Sequence, residues 1–298
     1  MSPRLLAVVP ALLLSAVASA AVHVVIVEGL GGEPAYTTQF AAQTAAIRQA
    51  AASLTDEQHV HLLAGTAATQ VAVRSLFKSL ANVAVADDRL ALYLVGHGSF
   101  DGAEYKFNMP GPDLAGKELV ALLAACPARD QLVVATGSSS GALQDLLKNN
   151  VRVVMTGTRS GSERNATRFG NEFAAALTDT AADSDKNGSL TTQEAFDFAV
   201  RGVKSFYERE VRLASEHAQL SGERAARFVV ARTSASGGAA GGAAAAGAVV
   251  ADARHPERER INSAIDALRL RKTELPEDDY NARLEALLVE LAVLDAGP

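Results

Sequence analysis

Two kinds of hydrophobic pattern alternate along the first half of this chain. Short continuous apolar runs read as buried strands: Val22-His23-Val24-Val25-Ile26-Val27, then residues 58–63, 90–95, 130–136 and 151–156. Between them lie segments with helical spacing, at 36–52, 67–80 (Val71, Leu76, Phe77, Leu80), 113–125 and 141–148. Strands alternating with helices imply right-handed crossovers and a parallel sheet covered on both faces. The expected class is α/β. In such sheets ligands bind beyond the carboxyl ends of the strands, so those ends are where chemistry is sought.

After residue 157 the pattern turns helical, at 165–177 and from 191 to about 219. Residues 234–248 contain only Ser, Gly and Ala, and the stretch 233–253 reads as a flexible linker. Beyond it, Ile261, Ala264, Ile265 and Leu268 recur at helical spacing. Pro276, Glu277, Asp278 and Asp279 mark a fresh helix start, because proline suits the first turn and acids suit the positive end of the dipole. Tyr280, Leu284, Leu287, Leu288, Leu291 and Leu294 then line one face. Residues 254–298 are expected to form a helical hairpin.

Composition narrows the function classes. The formal net charge of -6 argues against nucleic acid as a partner, since phosphate binding needs a basic stripe. Residues 1–20 have the layout of a signal peptide. Arg4 is followed by an apolar run to Val17, broken by Pro10 and Ser15, and by the small-residue site Ala18-Ser19-Ala20. The run is too short for a comfortable membrane span. The main domain is therefore expected over 21–232, exported to the periplasm or the extracellular medium, with no stable membrane span after cleavage. The single cysteine, Cys126, excludes an internal disulfide. It precedes the fourth strand, and it reads as a buried, inert thiol.

Two strand ends carry candidate chemistry. The run ending at Val95 leads into Gly96-His97-Gly98, and the run ending at Thr136 leads into Gly137-Ser138-Ser139-Ser140-Gly141. A histidine between glycines on one strand, with a nucleophile-type residue and Ser-Gly on the next, resembles the dyad of the caspase-fold (clan CD) cysteine peptidases, most closely the legumain family. The similarity continues through Lys106-Phe107-Asn108-Met109-Pro110-Gly111, residues 156–161 and Ala214-Ser215-Glu216-His217-Ala218, and so covers about residues 22–220. It implies a caspase-like three-layer sandwich. It implies that His97 matches the family's histidine and Gly98 its oxyanion-side glycine. Ser138 stands where the family has cysteine. A serine hydroxyl is far less acidic than a thiol, and these peptidases lack the acid–histidine relay that activates serine. The expectation is a catalytically inactive homologue whose cleft binds a peptide or protein partner.

An enzyme reading competes with it. Residues 137–141 also form G-x-S-x-G between a strand and a helix, the arrangement of a nucleophile elbow with Ser139 as nucleophile. Its histidine would have to follow, which leaves His217, read as lying in a helical stretch, and His255. A residual peptidase using Ser138 with His97 is the other enzymatic option.

Residues 183–194 fit the EF-hand loop at every position. Asp183, Asp185 and Asn187 offer side-chain oxygens, Gly188 permits the sharp turn and Ser189 offers its carbonyl. Thr191 acts directly or through water, and Glu194 binds through both oxygens. The expected cofactor is Ca2+, in a lone site flanked by helices. His59 and His61 alternate and are expected to share one strand face as a plain edge or surface pair; as half a metal site they lack an evident third ligand. Asn165-Ala166-Thr167 fits a glycosylation sequon.

Overall fold

The structure is a computed structural model that describes residues 20–232, residues 261, 264 and 268, and residues 276–296. The signal-peptide reading over 1–20 (but for Ala20), the linker at 233–253 and His255 lie outside the described residues. The chain divides into two compact units, Met1–Ser236 and Gly237–Pro298.

The first unit is built on a six-stranded sheet. In chain order its strands are β1 (Val22–Glu28), β2 (Val60–Leu63), β3 (Arg89–Val95), β7 (Asp130–Ala135), β8 (Arg152–Thr156) and β10 (Gln219–Ser221). Intervening short strands are β4 (Gly98–Phe100), β5 (Tyr105–Phe107), β6 (Leu114–Ala115) and β9 (Ser189–Thr191), and β11 (Val229–Arg232) follows. The sheet order is β10-β8-β7-β3-β1-β2, all parallel except the edge pair β10–β8. Period-2 geometry sends alternate side chains to opposite faces. Val24, Ile26, Ala91, Tyr93, Leu132, Val134, Val153 and Met155 enter one core, where α1 (Pro34–Ala51), α5 (Phe169–Ala176) and α6 (Thr192–Arg209) cover them. Val25, Val27, Leu90, Leu92, Leu94, Val133 and Val154 enter the other, covered by α2 (Gln70–Val83), α3 (Gly116–Ala125) and α4 (Leu143–Leu147). Two buried faces explain why these strands read as unbroken apolar runs. The result is a three-layer α/β sandwich with a mostly parallel sheet, compatible with the caspase-like arrangement.

Several elements differ from the sequence expectation. The residues after His97 form a small antiparallel sheet, β4-β5-β6, whose strands are too short to show a period. The helix expected to run to about 219 stops at Arg209, and the chain then extends through 212–218 into β10. Val211, β-branched and 92% exposed, sits there at φ 50°, a conformation that such residues rarely adopt. His217 is therefore not helical. His59 lies in a 3-10 turn, Glu57–His59, that leads into β2.

In the second unit, residues 261, 264 and 268 are helical and α7 spans Glu277–Ala296. Ile261, Leu268 and Tyr280 are buried, and Leu284 and Leu287 are half-buried one and two turns after Tyr280. Leu288, expected on the same face, is exposed. No helix among the described residues is long and apolar enough to cross a membrane.

Candidate functional site

His97 follows the carboxyl end of β3, and Ser138 follows that of the neighbouring β7. Backbones pack against one another here, which is why glycine recurs. A Cβ on Gly98 would lie 2.6 Å from the Ser138 carbonyl oxygen, and one on Gly137 would overlap the Gly96 carbonyl oxygen. The two predicted strand ends are thus brought together as the sequence implied.

The side chains around them were not foreseen. The His97 ring is held edge-on between Tyr36, at 4.6 Å between centroids, and Phe40, at 5.0 Å, both on α1. Burial in this clamp lowers the His97 pKa, against the Gly31 carbonyl and the Glu33 carboxylate, which raise it. The cavity at the ring, lined by Tyr36, Phe40, Gly96, His97, Thr136 and Gly137, holds only about 10 Å³. That is room for about one water molecule. It adjoins a groove of about 480 Å³ that shares Tyr36, Gln39, Ala166 and Thr167 and extends past Asn171 to Phe206 and Tyr207. Ser138 is 5% exposed and lines neither space. Among the described residues no hydrogen bond joins its hydroxyl to His97.

The following serines are built into the floor. Ser139 takes φ 57°, its N–H donates to the Glu163 carbonyl at 2.8 Å, and its Oγ is buried with no hydrogen-bond partner. Ser140 Oγ lies 3.3 Å from Thr158 Oγ1, which also accepts from the Gly141 N–H at 2.8 Å. The elbow reading needs a histidine on Ser139 Oγ. His217 instead places Nδ1 2.7 Å from Glu163 Oε1. Burial would raise the Glu163 pKa, but hydrogen bonds from the Arg159 N–H and from the His217 ring and N–H hold it low. Next to it, the buried Glu216 carboxylate accepts from the Arg168 and Phe169 N–H groups at the start of α5 and from the Tyr207 hydroxyl. These two carboxylates pin residues 212–218 as an extended segment. Neither carries a local sequence signature, because Glu163 meets His217 and Glu216 meets the start of α5 across about fifty residues.

The predicted calcium loop forms a second centre. Asp183, Asp185 and Glu194 each bring a carboxylate oxygen within 4.8 Å of the others, a cluster that can hold a metal ion. Asp183 accepts from the Asn187 and Gly188 N–H groups, Asp185 from Asn187, and Asn187 Oδ1 from the Ser189 N–H. Gly188 takes φ 82° at the turn. Glu194 Oε2 accepts from the Thr191 N–H and hydroxyl, closing a capping box at the start of α6. Burial pushes the Asp185 pKa up to about 6, and the Glu194 and Asp183 charges add to this against the Asn187 N–H. Such crowding is the condition that a cation relieves, so the donor set fits one. Leu190 is fully buried, and β9 pairs antiparallel with β11, Leu190 opposite Ala231. The exiting helix follows directly, whereas α5 ends at Ala176 and a 3-10 turn, Thr180–Ala182, leads into the loop. The entering side is thus shorter than an EF-hand helix.

Cys126 is buried before β7 and its pKa is raised, chiefly by burial, as an inert thiol requires. No protein-family model matches the chain, and no curated protein sequence matches it. Among solved structures the chain is similar to protein GSU0716 from Geobacter sulfurreducens, with 14% identity and a TM-score of 0.46 over 67% of this chain and 92% of that one.

Proposed function

We propose that this chain is a non-catalytic homologue of the legumain-like peptidases that binds calcium at residues 183–194 and takes an extended peptide or protein segment in the groove beside His97. The observation that carries the reading is the separation of roles at the two strand ends. His97 faces a water-sized space between aromatic rings, while Ser138 is buried outside it and hydrogen-bonded to no base. A serine nucleophile needs a base within hydrogen-bond reach. The groove of about 480 Å³ next to it carries backbone-sized space and polar anchors in Gln39, Asn165 and Asn171, which suit the amides of an extended chain. For calcium, the support is the full set of loop oxygens and the crowding of Asp183, Asp185 and Glu194. Asp183, Asp185, Asn187, Ser189, Thr191 and Glu194 would hold the ion, which would supply charge compensation and fix β9.

Treatment with a broad fluorophosphonate probe tests the absence of catalysis. No label is expected on Ser138 or Ser139 of the folded chain with calcium present. Stoichiometric labelling of Ser139, lost in Ser139→Ala and in His217→Ala, would establish the serine-hydrolase alternative.

A further inference from the structure

At the opposite end of the sheet from His97, three histidines gather where β1 and β2 begin. The register pairs Val25 with His61, and alternation puts His23 on that same face of β1, while His59 ends the 3-10 turn that leads into β2. The rings of His23 and His59 meet edge-on, 5.0 Å between centroids. Burial lowers the His61 pKa, and the nearness of His23 and His59 lowers it further.

The hydrogen-bond partners are arranged as in a metal site. His23 is 4% exposed, and its Nε2 lies 3.3 Å from Asp88 Oδ2. Against burial, hydrogen bonds from the Val85 and Ala21 N–H groups, together with His23, hold Asp88 ionised. An ionised carboxylate only accepts, so the ring donates from Nε2, and in the neutral ring Nδ1 keeps its lone pair. That Nδ1 is buried and has no hydrogen-bond partner. An orphaned buried acceptor is costly unless something fills the place opposite it. His59 Nδ1 lies 3.3 Å from Thr55 Oγ1, and in the tautomer that donates to this hydroxyl Nε2 is left as an acceptor. A carboxylate on the far nitrogen of a ligating histidine is a usual outer support of a metal centre.

We propose that His23 Nδ1, His59 Nε2 and a ring nitrogen of His61 bind a divalent transition-metal ion, with Asp88 and Thr55 as positioning residues. Three imidazoles suit zinc, copper or nickel rather than calcium, and they leave a further position for water. Only the Asp183 cluster brings three ligand atoms within 4.8 Å of one another among the described residues, so closure here requires side-chain rotation. Sequence alone supplied His59 and His61. The third ligand comes from β1, through strand pairing.

The test is zinc binding by the full chain, free of purification histidines, in saturating calcium so that the oxygen site is filled. Affinity is read by competition with a chromophoric chelator, and cobalt(II) absorption reports nitrogen ligands. One ion is expected per chain. His61→Gln and Asp88→Asn should each weaken it by at least about tenfold, and Glu194→Gln should leave it unchanged. Absence of zinc binding at micromolar concentration overturns the proposal. Unchanged affinity in a folded Asp88→Asn variant also does so, because an ion held only by the outer pair His59 and His61 would not sense Asp88. Full affinity in a folded His61→Gln variant does the same, and that variant alters a half-exposed residue.

Discussion

At the scale of single residues, the contrast between His97 and Ser138 decides what the site can do. Their strands are adjacent, and the backbone glycines bring the two ends as close as packing permits. A thiol at 138 would ionise far more readily than the hydroxyl. Ser138→Cys, made together with Cys126→Ser, is therefore expected to react with a thiol-directed electrophile. The rate should fall when His97→Ala is added. Equal labelling with and without His97 would mean that the ring and residue 138 do not communicate. The clamp on His97 also predicts a pH dependence. Its folded pKa lies below the ordinary value of 6.5, chiefly through burial. The fold thus favours the neutral ring, and this contribution is complete above 6.5 and lost as pH falls from there through the folded value. His97→Gln should flatten the decline of Tm below about pH 6.5. An identical slope in the variant would assign the decline to other groups.

Elements show where the sequence was legible and where it was not. The strands β1, β3, β7 and β8 announce themselves because burial on both faces makes their central positions apolar, and the loop at 183–194 does so because its candidate ligands are all local. The aromatic clamp on His97 was hidden in α1, since Tyr36 and Phe40 read as ordinary helix-face residues until strand order placed them over β3. The end of α6 was hidden for a different reason. Val211 and Leu213 continue a helical spacing, but Glu216 is drawn to the N-terminus of α5 and His217 to Glu163, and the chain must leave the helix to reach them.

The capping box at α6 separates two roles of the loop. Glutamine still serves at the third position of such a box, but it lacks the charge of a bidentate ligand. Glu194→Gln should leave calcium-free stability nearly unchanged and abolish most of the gain from calcium. Thr191→Ala removes the capping hydroxyl, at about 1 kcal/mol, so it should lower Tm already without the ion and should reduce the calcium gain less than Glu194→Gln does. In the unaltered chain, calcium at a hundredfold excess over Kd should add about 2.7 kcal/mol, or roughly 5–10 °C in a domain of this size. Melting curves in millimolar calcium and in chelator check this. No shift would reduce the loop to an acidic turn.

On the scale of the whole molecule, the first unit contains every described strand, both hydrophobic cores and the loop at 183–194. Its last strand, β11, is anchored twice. It pairs with β9 of the loop, and the Arg232 N–H donates to Ser53 Oγ at the end of α1. Phe228, just before it, is buried, and its carbonyl accepts from the Thr192 N–H and hydroxyl. A cut placed before Val229 would expose the edge of β9 and uncover Leu190. A cut after Ser236 leaves each of these contacts in place. A fragment of residues 21–236 is therefore expected to unfold in one cooperative transition and to keep its calcium shift, whereas 21–227 should lose both. If the longer fragment melts without cooperativity, residues 237–298 supply stabilisation that the first unit does not contain.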